Sequence, residues 1–349
     1  MPNVRLIVNG TAFEGWKSIR VTRSIETVAG TFELIASERW PGTPGGRQLL
    51  PRDRCKLMLG ASLVISGRID DVRPFHDAQN HEVSFTGRDE TGRLVDCSAL
   101  NEPGEWNGRF VQDIAADIAR PFGIEVVLAA TPGAPFKRFR LEAGETAFEA
   151  IERLCRMRRL LCTSDPSGRL VLTRAGTDRH ATALVLGQNI LSASGSFSSR
   201  DRFSRYMVKA QQPGGDNISP EDAAGVKAEA TDPGITEYRP LLILPEQDAD
   251  IEAAKQRVEW EADVRAARAR RATVQVQGWR DGPDGDLWTP NRLVSIDDRF
   301  LALKREMLIA GVTFILDENG TRTELSLVLP GAFDKAPMPE PEGQDEWAI

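Results

Sequence analysis

Pro51-Arg52-Asp53-Arg54 opens a strand-like stretch that runs through Val64-Ile65-Ser66-Gly67 and Asp77 to Val83-Ser84-Phe85. The same order of features returns near the other end of the chain, as Pro290-Asn291-Arg292, Leu308-Ile309-Ala310-Gly311, Asp317 and Leu325-Ser326-Leu327. In both places a proline opens a strand, where its missing N–H is tolerated. An alternating apolar strand then leads to an apolar-x-Gly step, an Asp turn and a closing strand. Self-similarity inside one chain is the mark of a repeated structural unit. The gaps differ by a few residues, as loops do. The pattern predicts a β-rich α+β protein with two similar small β-barrel domains, joined by a small α+β domain and a helical excursion.

Around the first copy, residues 1–97 read as the first barrel. Val4-Arg5-Leu6-Ile7-Val8 runs into Asn9-Gly10, a strong hairpin-turn signal. Lys17, Ile19, Val21, Arg23 and Ile25 are mostly apolar and alternate with Trp16, Ser18, Arg20, Thr22 and Ser24, as in a half-buried strand. Thr31 to Ala36, Cys55 to Leu59, Leu63 to Ile69 and Glu82 to Thr86 complete the series, with a Pro/Gly loop from Pro41 to Gly46. Many short strands separated by turn signals indicate a small barrel or sandwich.

Residues 98–176 change character and read as the α+β domain. Asn107 is positioned to cap a helix from Gly108 to Arg120, with Phe110, Ile114 and Ile118 along one face and Pro121 and Gly123 as its stop. Strands follow at Ile124 to Leu128 and Phe136 to Leu141. Thr146-Ala147-Phe148-Glu149 is a capping box, in which Thr and Glu satisfy each other's free amides. The helix it opens runs to Arg158, with Phe148, Ile151 and Cys155 on one face. Leu160 to Thr163, the Asp165-Pro166-Ser167-Gly168 turn and Arg169 to Thr173 form a closing hairpin.

The second barrel spans 177–212 and 272–333. Its strands are expected at Ala183 to Leu186, Ile190 to Ser196, Arg205 to Gln211, Thr273 to Gly278, Arg292 to Ile296, Glu306 to Ile315 and Thr323 to Leu329. Residues 213–271 interrupt it with a polar loop from Pro213 to Gly234 and a long helix. That helix opens near Pro245 and Asp248, reaches Arg271 and has a buried stripe of Ile251, Ala254, Val258 and Ala262. Arg265, Arg268, Arg270 and Arg271 crowd its end, where cations complement the helix dipole on a solvated face; an intersubunit salt-bridge role is the alternative. Residues 334–349, rich in Pro and Glu, are expected to be a flexible tail.

Composition narrows the function. The 349 residues are 41% hydrophobic and 27% charged, as in a soluble globular protein. The formal net charge is −7, from 44 basic and 51 acidic residues, which argues against general nucleic-acid binding driven by phosphate neutralisation. No apolar run is long enough to span a membrane, and Met1-Pro2-Asn3-Val4-Arg5 does not start a signal peptide. Synthesis in a cytoplasm is expected. Cys55, Cys97, Cys155 and Cys162 form no C-x-x-C pair and read as buried small apolar groups.

No constellation of residues supports catalysis. The only histidines are His76, His81 and His180. His76 and His81 flank a turn expected at Asp77-Ala78-Gln79-Asn80, with Asp70 and Asp71 nearby, but they read better as exposed hairpin residues than as a metal pair. Asp281-Gly282-Pro283-Asp284-Gly285-Asp286 has a calcium-loop composition without the spaced ligands or the distal Glu. A tight turn before Trp288 is the better reading. Asp297 and Asp298, like Asp70 and Asp71, are adjacent on a strand, so they point to opposite faces and cannot flank a sugar as a glycosidase pair. No nucleophile elbow, zinc helix or phosphate-cradling loop occurs. The expectation is no catalytic residue, no cofactor and no metal. The tryptophans Trp16, Trp40, Trp106, Trp260, Trp279 and Trp288 are scattered, which favours core or interface packing over a glycan-binding groove.

The chain resembles the baseplate hub family of Mu-like contractile-tailed phages, which is related to the late-control D family and other contractile-tail hubs. The residues that carry this are Phe13-Glu14-Gly15-Trp16-Lys17-Ser18-Ile19-Arg20-Val21-Thr22-Arg23-Ser24-Ile25-Glu26, Ile65-Ser66-Gly67-Arg68-Ile69-Asp70-Asp71-Val72, Ser84-Phe85-Thr86-Gly87-Arg88, Leu94-Val95-Asp96-Cys97-Ser98-Ala99 and Leu287-Trp288-Thr289-Pro290-Asn291-Arg292-Leu293-Val294. Their order, from Val4 to Phe333, is specific although no single segment is. The resemblance implies a non-enzymatic homotrimeric ring in the virion baseplate. It would lie between the tail-tube ring and the central spike, among other baseplate proteins, with DNA only in transit and no stable membrane insertion. The duplication gives such a ring a use, because three chains with two similar barrels place six around one axis. A receptor- or glycan-binding tail module is the alternative, and a cell-wall hydrolase a weaker one.

Overall fold

Alternation at period two builds most of the molecule. In the computed structural model, which describes residues 3–37, 49–78, 81–210, 226–243, 251–282 and 285–333, the first seven strands are β1 (Val4–Val8), β2 (Thr11–Phe13), β3 (Ser18–Ser24), β4 (Thr31–Ser37), β5 (Arg54–Leu59), β6 (Ser62–His76) and β7 (His81–Asp89). Every second residue of β1, β4 and β5 is buried. Asn9 and Gly10, both at positive φ, turn β1 into β2, as the Asn-Gly pair requires. The Pro41 to Gly46 loop and Trp40 lie outside the described residues.

The α+β region follows with α1 (Gly92–Asp96), β8 (Glu105–Arg109), α2 (Val111–Ala119), β9 (Val126–Leu128), β10 (Phe136–Arg140), α3 (Ala147–Met157), β11 (Leu161–Ser164) and β12 (Leu170–Thr173). It has its own core, in which Val111, Ile114, Ile118, Phe136, Ile151 and Leu154 are fully buried. The capping box forms as expected: Glu149 N–H donates to Thr146 Oγ1 at 3.2 Å, and Thr146 N–H donates to Glu149 Oε2 at 2.8 Å. Two expectations fail here. Asn107 does not cap α2, because it lies in β8 opposite Arg138, and the helix starts at Val111 with Phe110 as N-cap. Strand pairing of 105–109 with 136–140 takes those residues before a helix can. Cys97 is exposed, unlike the other three cysteines, because it sits just past the end of α1.

The remaining elements are β13 (Leu184–Val185), β14 (Ile190–Phe197), β15 (Arg205–Ala210), β16 (Val226–Thr231), β17 (Pro240–Ile243), α4 (Ile251–Arg268), β18 (Arg270–Gln277), β19 (Leu293–Asp298), β20 (Leu303–Asp317) and β21 (Gly320–Val328). Strands β15, β16 and β17 form a separate sheet, order β16-β15-β17, against which α4 lays Ala254, Val258 and Ala262. Arg205–Ala210 thus belongs to this excursion and not to the second copy. The segment read as a polar loop contributes β16. Its inward positions include the small Ala228 and Ala230, which carry little hydrophobic signal. Pro213, Pro245 and Asp248 lie outside the described residues, as does the 334–349 tail. The helix ends at Arg268 and not Arg271, since Ala272, Val274 and Val276 are drawn into the large sheet at period two.

The expectation of two barrels is corrected. The strands join in one thirteen-stranded sheet of order β14-β18-β21-β20-β3-β4-β7-β6-β5-β1-β2, with β19 on β20 and β13 on β19, and neither half closes into a barrel. β20 is fifteen residues long, so β19 covers only Leu303 to Leu308 along one edge. The rest of that edge, Gly311 to Leu316, takes β3. One hydrophobic core then runs from Val4, Leu6 and Leu57 through Ile19 and Phe32 to Val312, Phe314 and Leu325.

The duplication itself is geometric. β5, β6 and β7 have six, fifteen and nine residues, and so do β19, β20 and β21. In the first copy Ile69 faces Gly87 and, past a bulge, Asp71 faces Thr86. In the second Ile309 faces Leu327 and, past a bulge, Gly311 faces Ser326. Matching positions are 240 apart: 69 and 309, 86 and 326, 88 and 328. The strand openings match too. Arg52 N–H donates to Ile69 O at 2.7 Å and Asn291 N–H to Ile309 O at 2.8 Å. Arg52 (φ 76°) and Asn291 (φ 65°) share the left-handed conformation. Register also shows that Gly67 and Gly311 are not counterparts. Gly311 stands where the first copy has Asp71, and Phe85 corresponds to Leu325.

Candidate assembly site

Two clusters of buried polar groups serve joints between elements. Asp89, the last residue of β7, is 4% exposed. Its Oδ2 accepts from Gly30 N–H at 2.7 Å and from Ser164 Oγ at 2.5 Å, and its Oδ1 accepts from Thr91 N–H at 2.9 Å and Thr91 Oγ1 at 2.5 Å. The Arg23 guanidinium donates to Ser164 O at 2.8 Å. Two strands of the large sheet are thereby tied to β11 of the α+β region. Burial pushes the Asp89 carboxyl above the ordinary carboxylate range, and the bonds from Ser164, Thr91 and Gly30 offset only part of that. The sequence reading missed this cluster, whose members lie up to 141 positions apart.

A second joint closes the loop before β19. Asp281 accepts from Ala181 N–H at 2.7 Å, Thr182 N–H at 2.8 Å and His180 Nδ1 at 3.0 Å. Burial opposes the charge on Asp281, but the bonds from Thr182, Ala181 and His180 outweigh it and hold the carboxyl below its usual range. The His180 ring packs 4.7 Å from Trp288. The stretch with calcium-loop composition is thus a structural turn at Asp281 and Asp286, whose ends bond at 2.8 Å; Pro283 and Asp284 lie outside the described residues.

The other candidates for chemistry disperse. His76 and His81 do face each other across the β6–β7 hairpin, with rings 5.8 Å apart on the surface. Asp70 pairs with Arg88 at 2.7 Å and Asp71 with Arg73 at 2.9 Å. Asp297 pairs with Lys304 on the surface, while buried Asp298 accepts from Phe300 and Leu301 N–H, so the two carboxylates serve opposite faces. Among the described residues no group of three His, Cys, Asp or Glu side chains could hold a metal ion. Of the arginine run, Arg265 pairs with Glu261 on its own helix at 2.7 Å, Arg268 Nε donates to Ala332 O at 3.0 Å and Arg271 pairs with Glu26 at 2.7 Å. Trp16, Trp279 and Trp288 are core residues.

Among the described residues, two edges of the large sheet are open. The outer half of β6, Asp71 to His76, corresponds to the part of β20 that β3 covers, yet among the described residues it pairs with no strand besides β7. Gly311 to Ile315 are all buried, whereas Asp71 and Arg73 to His76 are exposed. β14 ends the sheet path among the described residues. Each of these edges carries a large exposed apolar side chain: Phe75 at 57% and Phe197 at 54%. An open edge of this kind is a template for another strand. No helix among the described residues is long and apolar enough to cross a membrane.

The family model for the N-terminal region of Mu phage baseplate assembly protein GpP-like proteins matches residues 3–89. That for the second domain of baseplate hub protein gp44-like matches 91–174, and that for the fourth domain of Mu phage baseplate assembly protein GpP matches 250–336. The baseplate hub protein gp44 of Escherichia phage Mu is 38% identical over 333 residues, covering 93% of this chain and 87% of the relative. The crystal structure of a 43 kDa tail protein of prophage MuSo2 from Shewanella oneidensis is 36% identical, with TM-score 0.87 over 95% of this chain and 99% of that one. A tail protein from Neisseria meningitidis MC58, 24% identical, shares the fold at TM-score 0.80 over 97% and 99% of the two chains. On near-full-length identity and a shared fold, the chain belongs to the baseplate hub family of Mu-like phages.

Proposed function

We propose that this hub protein acts as a trimeric ring at the base of a contractile tail, where it adapts the sixfold tail tube to the threefold central spike and leaves a passage for DNA. The observation that carries the reading is the duplication: β5–β7 and β19–β21 repeat with equal lengths, the same bulge and an offset of 240 positions. A trimer of such a chain has threefold symmetry overall but offers six near-equivalent units around its axis. The net charge of −7 suits a passage that DNA crosses without adhering. The role is structural and non-enzymatic, in the virion baseplate, after synthesis in the host cytoplasm. It would have the tube ring, the spike and other baseplate proteins as partners.

Light scattering on a size-exclusion column, across a wide range of concentration and salt, tests the reading. The expected result is a stable species of three times the 38.4 kDa chain. A persistent monomer would reject it. Peptidoglycan clearing would then point to a hydrolase, and retention on immobilised glycans to a receptor-binding module.

A further inference from the structure

Two of the three histidines in the 349 residues stand directly opposite each other. His76 ends β6 and His81 opens β7, and they form the last cross-strand pair before the turn of that hairpin. Residues paired in this way put their side chains on one face, with Cβ atoms about 4.5–5.5 Å apart. Both residues are exposed, their ring centres are 5.8 Å apart and the ring planes cross at 82°. The third histidine, His180, is buried and bonded to Asp281. The duplication shows that the fold does not itself ask for histidine here. The positions 240 further on are Leu316 and Thr321, which pair in the same place on β20 and β21, and Leu316 packs against the core.

We propose that His76 and His81 chelate one divalent transition-metal ion of the kind that imidazole prefers, Zn2+, Ni2+ or Cu2+, with water completing its shell. A ring nitrogen binds such an ion at about 2.0–2.1 Å, which sets each ring centre roughly 3 Å from it. Two rings on a tetrahedral centre then have their own centres roughly 5 Å apart. The observed 5.8 Å closes to that by a small side-chain rotation. One nitrogen of each ring is enough, so the other keeps any hydrogen bond it makes, as in ligating histidines generally. Asp77, next to His76 and exposed, adds negative charge beside the ion. Two protein ligands leave the rest of the shell to water, so this is an exchangeable surface clip and not the closed four-ligand site of a structural zinc. Mg2+ and Ca2+, which take oxygen ligands, bind it poorly. Spacing in sequence does not tell which residues of a hairpin face each other, whereas the register does. Bound metal ties the end of β6 to the start of β7, and the clip lies within one chain whatever its oligomeric state.

The test uses the untagged full chain carrying Cys97→Ser, since that exposed thiol also takes these metals. After stripping with EDTA, calorimetric titration with Zn2+ is expected to show one ion bound per chain through the pair, and titration with Mg2+ no such binding. His76→Ala and His81→Ala, both at exposed positions, should each keep the urea midpoint of the metal-free parent. Each should also weaken Zn2+ binding at least about tenfold, because losing a ligand costs no less than losing an outer-shell partner. A parent protein that takes up no Zn2+, or a single variant that binds Zn2+ as tightly as the parent, would overturn the chelate.

Discussion

The outer halves of β6 and β20 have the same length, the same bulge and the same place in their copies, yet one is exposed and the other buried. β20 reads Gly311-Val312-Thr313-Phe314-Ile315-Leu316, and β3 covers it. β6 reads Asp71-Val72-Arg73-Pro74-Phe75-His76 and faces solvent beyond β7. The backbone was kept while the side chains followed their surroundings. Charges and a proline stand where, among the described residues, no strand arrives, as suits an edge that must not aggregate. The difference marks which strand edge is paired within the chain and which carries the side chains of a solvent-facing edge.

The largest effect should come from the covered strand. Phe314→Ala, deep in the shared core, is expected to cost about 3–5 kcal/mol in urea unfolding, whereas Phe75→Ala on the exposed strand should stay within about 0.5 kcal/mol for the isolated chain. Equal losses at the two positions would break the comparison. Next is the joint under the sheet. Asp89→Asn replaces an acceptor of four hydrogen bonds with a group that must turn an NH2 toward two donors, and about 2–3 kcal/mol should be lost. Its pH dependence has a definite sign. The folded-state pKa is raised by burial, so the stability that Asp89 contributes is fully present below the ordinary aspartate pKa of about 4 and declines as pH rises through the raised value. The gap between wild type and Asp89→Asn should therefore narrow from acid toward neutral pH, and a widening gap would reject the assignment.

Thr146→Ala should cost about 1 kcal/mol through loss of the capping box, a local effect in the α+β region, readable as a drop in the urea midpoint. Smallest is Arg73→Ala, which removes an exposed pair with Asp71 and should change the stability of the isolated chain by less than about 0.5 kcal/mol.

Much of this architecture was legible in the residues. The capping box at Thr146 and Glu149 formed because it needs only four neighbouring residues. The Asn9-Gly10 hairpin formed for the same reason. Period-two alternation located most strands, and the proline-opened repeat pointed to a duplication that the hydrogen bonds of Arg52 and Asn291 bear out. Local reading failed where a distant partner decided. Asn107 has the chemistry of a helix cap but lies in a strand because Arg138 arrives opposite it. Ala228 and Ala230 are too small to announce β16. The matched glycines Gly67 and Gly311 were a coincidence of composition, since only the pairing with β7 and β21 sets the true register.

The sequence alone determined the order of most elements and the repeat, because those follow from residue types at short spacing. Only the tertiary structure decided that the two copies share one sheet and one core. That outcome depends on β3 reaching β20 across almost three hundred positions, in competition with every other strand edge, and a strand's partner is set by packing and burial far more than by its own residues.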